Sequence, residues 1–372
     1  MERSNVLLTT LFSGYNYGSS LQAYATKTII ESLGYSCKLI ARKSLIKGRD
    51  VRIGKLLTIL IRTIVHFNLR TLKAYNDSYK KVMNSESVRK FVTFEMEYLK
   101  PQRLSWRSIK RLAKESTACV AGSDQLWDPT SLYVDPIYYL RFCEYEKRIS
   151  FATSLGHDVI LKENVRKIKK YITEIRSISV REESSVKFIK KLCNRDVRHL
   201  VDPTLLISGS SWREKFDIKG EKENYILAYF LDYPSSKALD ILTKLRNELD
   251  CEVVAIPYVF ADGNYSQKNI SAGPIEFLSL VNSAKFVVTD SFHGMAFSIN
   301  FHIPFYVFNR NYGSAHSQNC RILSLINKLE LQERYEPDRL CNTFMNVGYS
   351  KVERILEEER AKALDYLRTS LS

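Results

Sequence analysis

Short β-rich apolar runs alternate with helical stretches along this chain, and several of the runs stop in a polar turn that opens the next helix. Parallel strands need a long crossover connection, usually a helix, so this alternation reads as an α/β fold with parallel sheets. Asn5 to Phe12 reads as a buried strand, Tyr17 to Leu33 as a helix and Ser36 to Ala41 as the next strand. Strands resume at Thr117–Ala121, Arg148–Thr153, Ser177–Arg181 and Val197–Val201. After Asp202-Pro203-Thr204 a polar stretch to Asn224 marks a domain junction. A second series follows: strand Tyr225–Leu231, helix Ser235–Leu249, strand Glu252–Pro257, helix Pro274–Ala284, strand Lys285–Thr289, helix Gly294–Asn300 and strand Pro304–Phe308. The expected architecture is two Rossmann-like domains facing a cleft, residues 1–203 and 204–372, with the charged helix Lys351–Leu371 packing across the junction.

The 372 residues carry a formal charge of +15, and its location matters more than its size. Between Ala41 and Glu115 there are 19 basic and 6 acidic residues, against 37 and 35 in the rest of the chain. This stretch reads as a basic helical insertion in the first domain, about residues 45–115. Within it Lys55, Arg62, His66, Arg70 and Lys73 fall on one side of a helix, and Leu57, Leu60, Ile61, Ile64 and Phe67 on the other. Such a helix either packs on its own domain with a solvated charged face or lies in an anionic membrane interface. No helix-turn-helix, zinc or RRM pattern accompanies the charge, so nucleic acid is not an expected partner.

No apolar run reaches the ~18 residues of a spanning helix, and Met1-Glu2-Arg3-Ser4-Asn5 opens straight into a strand without signal-peptide architecture. A cytoplasmic protein is the expectation. Seven scattered cysteines without CxxC spacing argue for reduced thiols and against a zinc site, and no metal motif is present.

Four turns could carry chemistry. Ser13-Gly14-Tyr15-Asn16-Tyr17-Gly18-Ser19-Ser20, with Gln22 beyond, joins a strand to a helix N-terminus, where free N–H groups bind anions; a tight turn capped by Ser19 is the alternative. In Gly122-Ser123-Asp124-Gln125-Leu126-Trp127, Asp124 and Gln125 can take sugar hydroxyls while Trp127 stacks on a sugar face; alternatively Ser123 caps a helix and Trp127 fills the core. Arg181 ends a strand beside Glu182 and Glu183, as a fork for carboxylate or phosphate or as half of an ion pair. Finally, Thr289-Asp290-Ser291-Phe292-His293-Gly294 sets an imidazole between a strand end and a helix start, where it can trade protons, with Asp290 placed to orient it; a purely structural histidine is the other reading.

Taken in order, Gly14-Tyr15-Asn16-Tyr17-Gly18-Ser19 with Leu21-Gln22-Ala23, Gly122-Ser123-Asp124-Gln125 with Trp127, Val180-Arg181-Glu182 with Ser184, Asp202-Pro203-Thr204 and Ser291-Phe292-His293-Gly294 resemble the polysaccharide pyruvyl transferase family, from about Val6 to Leu331. The resemblance implies a fold similar to GT-B glycosyltransferases. It implies transfer of the enolpyruvyl-derived unit of phosphoenolpyruvate onto a sugar of a bacterial surface polysaccharide, or its polyprenyl-linked precursor, as a pyruvate ketal. On that reading phosphoenolpyruvate is a substrate and no cofactor is needed. His293 is the acid/base group and Arg181 the anion clamp, with the acceptor and donor held among Asn16, Gly18, Ser19, Gln22, Ser123, Asp124, Gln125, Trp127, Asp290 and Ser291. Some members carry an arginine two positions before the histidine, where this chain has Ser291. Either Arg310 or Arg321 supplies that cation, or the donor or acceptor differs. A glycosyltransferase using a nucleotide sugar, and a non-catalytic sugar-binding protein of polysaccharide assembly, are the alternatives. The membrane-borne acceptor would give the basic helix a peripheral place at the inner face of the plasma membrane.

Overall fold

The computed structural model describes residues 4–45, 52–65, 86–157, 159–258, 261–310 and 319–372, with side chains of the helix ending at Val65 described as far as Ile61. The described residues fall into two units. The first comprises Met1–Lys80, Glu95–Pro203 and Ala361–Ser372, the second Lys81–Phe94 and Thr204–Arg360.

In the first unit β1 (Asn5–Thr9), β2 (Ser36–Arg42), β3 (Gln102–Leu104), β4 (Ala118–Ala121) and β5 (Arg148–Ser150) form one parallel sheet in the order β3-β2-β1-β4-β5. Val6 pairs with Cys37 on one side and Ala118 on the other, which puts β1 at the centre. A short parallel pair, β6 (Ser179–Val180) and β7 (Arg198–His199), lies beyond β5 and is bridged to its strand at Ile149↔Ser177 and Thr153↔Val180. The helix Tyr17–Ser32 starts where expected because Asn16, extended at φ −109, accepts the Ser19 N–H on its side chain. Leu33 ends it, and Gly34 follows at φ +93, a conformation glycine adopts without strain.

The second unit repeats the winding. Strands β8 (Tyr225–Tyr229), β9 (Glu252–Ala255), β10 (Lys268–Asn269), β11 (Phe286–Thr289) and β12 (Phe305–Val307) stand in the order β10-β9-β8-β11-β12, all parallel. Its central strands β8 and β11 are buried throughout, as their unbroken apolar runs require of a sheet covered on both faces.

Two differences from the sequence reading have local causes. The polar stretch after Asp202 contains helices Pro203–Leu206 and Gly209–Phe216 rather than a linker. Pro203, taken as the mark of a junction, starts a helix, since proline suits the first helical position, and Ser208 caps the next by accepting the Ser211 N–H. Trp212 then becomes fully buried against Phe216 and Phe297. The basic stretch also contains the edge strand β3, three residues too short to show a period, and the helix Glu86–Phe94, which belongs to the second unit. There Lys90 pairs with Glu276 at 3.3 Å and donates to the Ser271 carbonyl at 3.0 Å. His66, Phe67, Arg70 and Lys73, and the side chains of Arg62 and Ile64, lie outside the described residues. Among the described residues, no helix is long and apolar enough to cross a membrane, and no cluster of histidine, cysteine and acidic groups could hold a metal ion.

Candidate functional site

In an open parallel sheet wound in both directions from its first strand, the loops leaving the two central strands diverge and open a crevice at the strands' carboxyl ends. In the first unit that place lies between β1 and β4, in the second between β8 and β11. Three of the four polar turns singled out in the sequence leave one of these strands, and the fourth, at Arg181, leaves β6.

In the first unit the turns are laced together. Ser19 donates its hydroxyl to Asp124 Oδ2 at 2.6 Å, and Thr10 donates to the Ser123 carbonyl at 2.6 Å. Asp124 holds a left-handed backbone at φ +82, a conformation Asp tolerates better than most residues, and its Oδ1 accepts the Gln125 N–H at 2.8 Å. The Gln125 side chain lies over Gly156, where a Cβ would come within 2.1 Å of its Nε2. Deeper in, Ser123 donates to Asp202 Oδ2 at 2.9 Å, and the buried Arg181 donates to Asp202 through Nη1 and to Glu182 through Nε. Glu182 also accepts from Ser185 at 2.9 Å. Burial works against the Arg181 charge, but Asp202 and Glu182 outweigh it and hold the guanidinium above its ordinary value.

Several expected roles change here. Arg181 was expected as a clamp for a substrate anion; its fork is instead engaged by two buried carboxylates, the ion-pair alternative. Trp127 was expected to offer a face to a sugar; it is fully buried, parallel to Tyr139 at 5.5 Å between centroids, with its Nε1 donating to the Tyr138 carbonyl. Gln22 is fully buried too, its amide donating to Thr10, the Leu11 carbonyl and the Ser19 carbonyl. Gly18 is buried in the first helical turn, and the Asn16 side chain occupies the Ser19 N–H that an anion would have taken. Asp124, expected to take sugar hydroxyls, is buried with both oxygens engaged, and the half-buried Gln125 is the member of this turn that remains suited to a polyol.

In the second unit Thr289 closes the crevice. Its hydroxyl donates to the Tyr229 carbonyl of β8 and accepts the Ser291 N–H at 3.0 Å. Gly294 fits against it: a Cβ there would lie 2.6 Å from Thr289 Oγ1. Ser291 caps the helix Phe292–Asn300 by accepting the Gly294 N–H, so the residue standing where an arginine was noted is a helix cap. His293 follows in the first turn, largely buried and edge-on to Phe292.

Asp290 was expected to orient His293. Its oxygens instead accept the Leu231 N–H at 2.7 Å and the Asp232 N–H at 3.0 Å, tying the chain that leaves β8 to the end of β11. Burial pushes its carboxyl up to about 6, against the opposing pull of Arg310 and those two N–H donors. Arg310 donates through Nε to the Asp290 carbonyl at 3.1 Å and stands 3.8 Å from its Oδ2. Arg321 is buried at the start of the helix Cys320–Lys328. Asp290, Ser291, His293 and Arg310 are thus gathered at one crevice. The sequence reading named Glu182 as an ion-pair partner of Arg181 but passed over Thr10 and Thr289, and it quoted Asp202 only within a motif. The available signal was a buried-type strand ending in Thr, and an Asp before Pro.

The sequence model of a family described as polysaccharide pyruvyl transferase matches residues 16–312. No curated protein matches the chain in sequence. Among solved structures it is similar to a putative UDP-N-acetylglucosamine 2-epimerase from Listeria monocytogenes, at 8% identity and TM-score 0.45 over 98% of this chain and 91% of that one. It is also similar to the glycosyltransferase SnogD from Streptomyces nogalater, at 12% identity and TM-score 0.45 over the full length of both.

Proposed function

Because the chain belongs to the polysaccharide pyruvyl transferase family, we propose that it moves the enolpyruvyl-derived unit of phosphoenolpyruvate onto two hydroxyls of a bacterial surface-polysaccharide sugar or its lipid-linked precursor, in the cytoplasm. The balance is simple. A proton adds to C3 of the donor, the first hydroxyl oxygen bonds to C2 and sheds its proton, phosphate leaves with its C–O pair, and the second hydroxyl closes the ketal and sheds its own proton. One proton therefore ends on the new methyl group and one in solution or on phosphate.

The observation that carries this reading is the gathering of His293, Asp290 and Arg310 at the β8/β11 crevice. His293 is proposed to carry the proton, and burial brings the Asp290 carboxyl up to about 6 beside it. The proposed donor carries two to three negative charges. With Arg181 bound to carboxylates, the cation facing it is assigned to Arg310, supported by Arg321 and by the start of the helix Phe292–Asn300. Gln125 is proposed to take a sugar hydroxyl, with Asp124 holding its turn in place.

Thermal unfolding with candidate donors tests the reading, since a ligand at one hundred times its Kd stabilises by about 2.7 kcal/mol. Phosphoenolpyruvate should raise the melting temperature and UDP-sugars should not. A shift with a nucleotide sugar alone would establish a glycosyltransferase instead. Sugar binding with neither donor would establish a non-catalytic protein.

A further inference from the structure

We propose that the helix Ile53–Val65 docks this protein on an anionic lipid surface through its apolar stripe. A soluble helix turns its apolar side inward, and this one does the reverse. Ile53, Leu56, Leu57, Leu60 and Ile61 are 48–65% exposed, whereas Lys55 and Thr58 on the opposite side are half-buried. Leu45, eight residues before the helix in sequence, is 66% exposed as well.

The outward aim is fixed by an anchor. Arg52, immediately before the helix, is buried with its guanidinium paired to Asp135 and stacked over the Tyr133 ring, while its carbonyl accepts the Leu56 N–H. Asp135 is held in turn by accepting the Ile137 N–H. The helix therefore starts from a rigid point of the first unit.

Charge decides what covers the stripe. From Arg42 to Lys73 the sequence has one acidic residue, Asp50, and nine basic ones, eight besides the Arg52 already paired with Asp135. A second copy would bring an equally basic segment to this one, and the two would repel. A bilayer with anionic headgroups attracts the cations and receives the apolar side chains at the headgroup boundary. This inference does not depend on the donor or the reaction.

Flotation with vesicles of phosphatidylcholine alone, or with about 30% phosphatidylglycerol, tests it. The full chain should float with the anionic vesicles at low salt, fade as salt shortens the ~10 Å screening length toward ~3 Å, and ignore the neutral ones. L57Q/L60Q/I61Q, altered at exposed positions, should keep the melting temperature and lose affinity by about tenfold or more. Wild-type protein that ignores anionic vesicles at low salt overturns the proposal. So does a triple variant that binds as well as wild type, equal binding to neutral vesicles, or a wild-type dimer that the substitutions convert to monomer without any lipid binding.

Discussion

Ser19 and Asp124, 105 residues apart in sequence, are joined by a 2.6 Å hydrogen bond that links the turn after β1 to the turn after β4. Both are buried, so the bond has little competition from water. Ser19→Ala should leave Asp124 Oδ2 short of a donor and destabilise the protein by about 1–3 kcal/mol. Urea unfolding measures this. A loss below a few tenths of a kcal/mol would mean that solvent replaces the hydroxyl.

Arg181 yields the largest stability effect. Removing one partner of a buried ion pair leaves uncompensated charge and typically costs about 3–5 kcal/mol. Arg181→Ala should lose that much at pH 7, with Asp202 and Glu182 left facing each other without a cation. Because those orphaned carboxylates would then protonate readily, the deficit should shrink as pH falls toward 4. A deficit independent of pH would show a packing defect rather than a lost charge.

For Asp290 the sign is opposite to that of a salt-bridged acid. Its folded value, about 6, lies above the ordinary 3.8, so the folded protein holds this proton more tightly than the unfolded chain. Its contribution is complete below pH 3.8 and is lost as pH rises through 6. Wild type minus Asp290→Asn stability should therefore decline over that window, by up to ~3 kcal/mol. Parallel stability curves for the two proteins would contradict the raised value.

His293→Gln should lower turnover of phosphoenolpyruvate and acceptor by ~10²–10⁴, the usual loss of a general acid/base group, while the melting curve moves little. The comparison is made on purified protein with phosphate release as readout. Full activity in this variant would remove His293 from the proton-transfer role.

Gly294→Ala places a methyl group 2.6 Å from Thr289 Oγ1, the atom that links β8 to the Ser291 N–H. Overpacking of this kind costs about 1–3 kcal/mol. Gly294→Ala with Thr289→Ser, which removes Cγ2, 3.1 Å from the added methyl, and gives the retained hydroxyl room to shift, should recover part of it. Equal stability of single and double variants would argue against this close packing.

The strands and their polar exits were legible because they depend on near neighbours in sequence: an apolar run, then a polar turn, which opens a helix after Asn16 and after Ser291 and none after Ser123. What a polar residue does at such an exit was not legible. Arg181 looks the same in sequence whether it meets a ligand or Asp202, and the choice is made by the pairing of β6 with β7, which brings residues 21 positions apart together. Trp127 was undecided for a similar reason: its stacking partner Tyr139 lies in an irregular segment without a period to read. Asp290 was recognised as important, but its partners are backbone N–H groups of Leu231 and Asp232, which any sequence would supply.

The division of the chain has a consequence for its synthesis. Each unit is completed by a segment encoded outside its main stretch: Glu86–Phe94 joins the second unit from within the first, and Ala361–Ser372 joins the first from the far end. There Tyr366 donates to the carbonyl of Ser150, the last residue of β5, and Arg176 donates to the Ser370 carbonyl. Domains often fold as they leave the ribosome, N-terminal part first. Here the first unit must wait for Ala361–Ser372, made long after its sheet, so a ribosome that stops at Pro203 releases a sheet whose closing helix was never made.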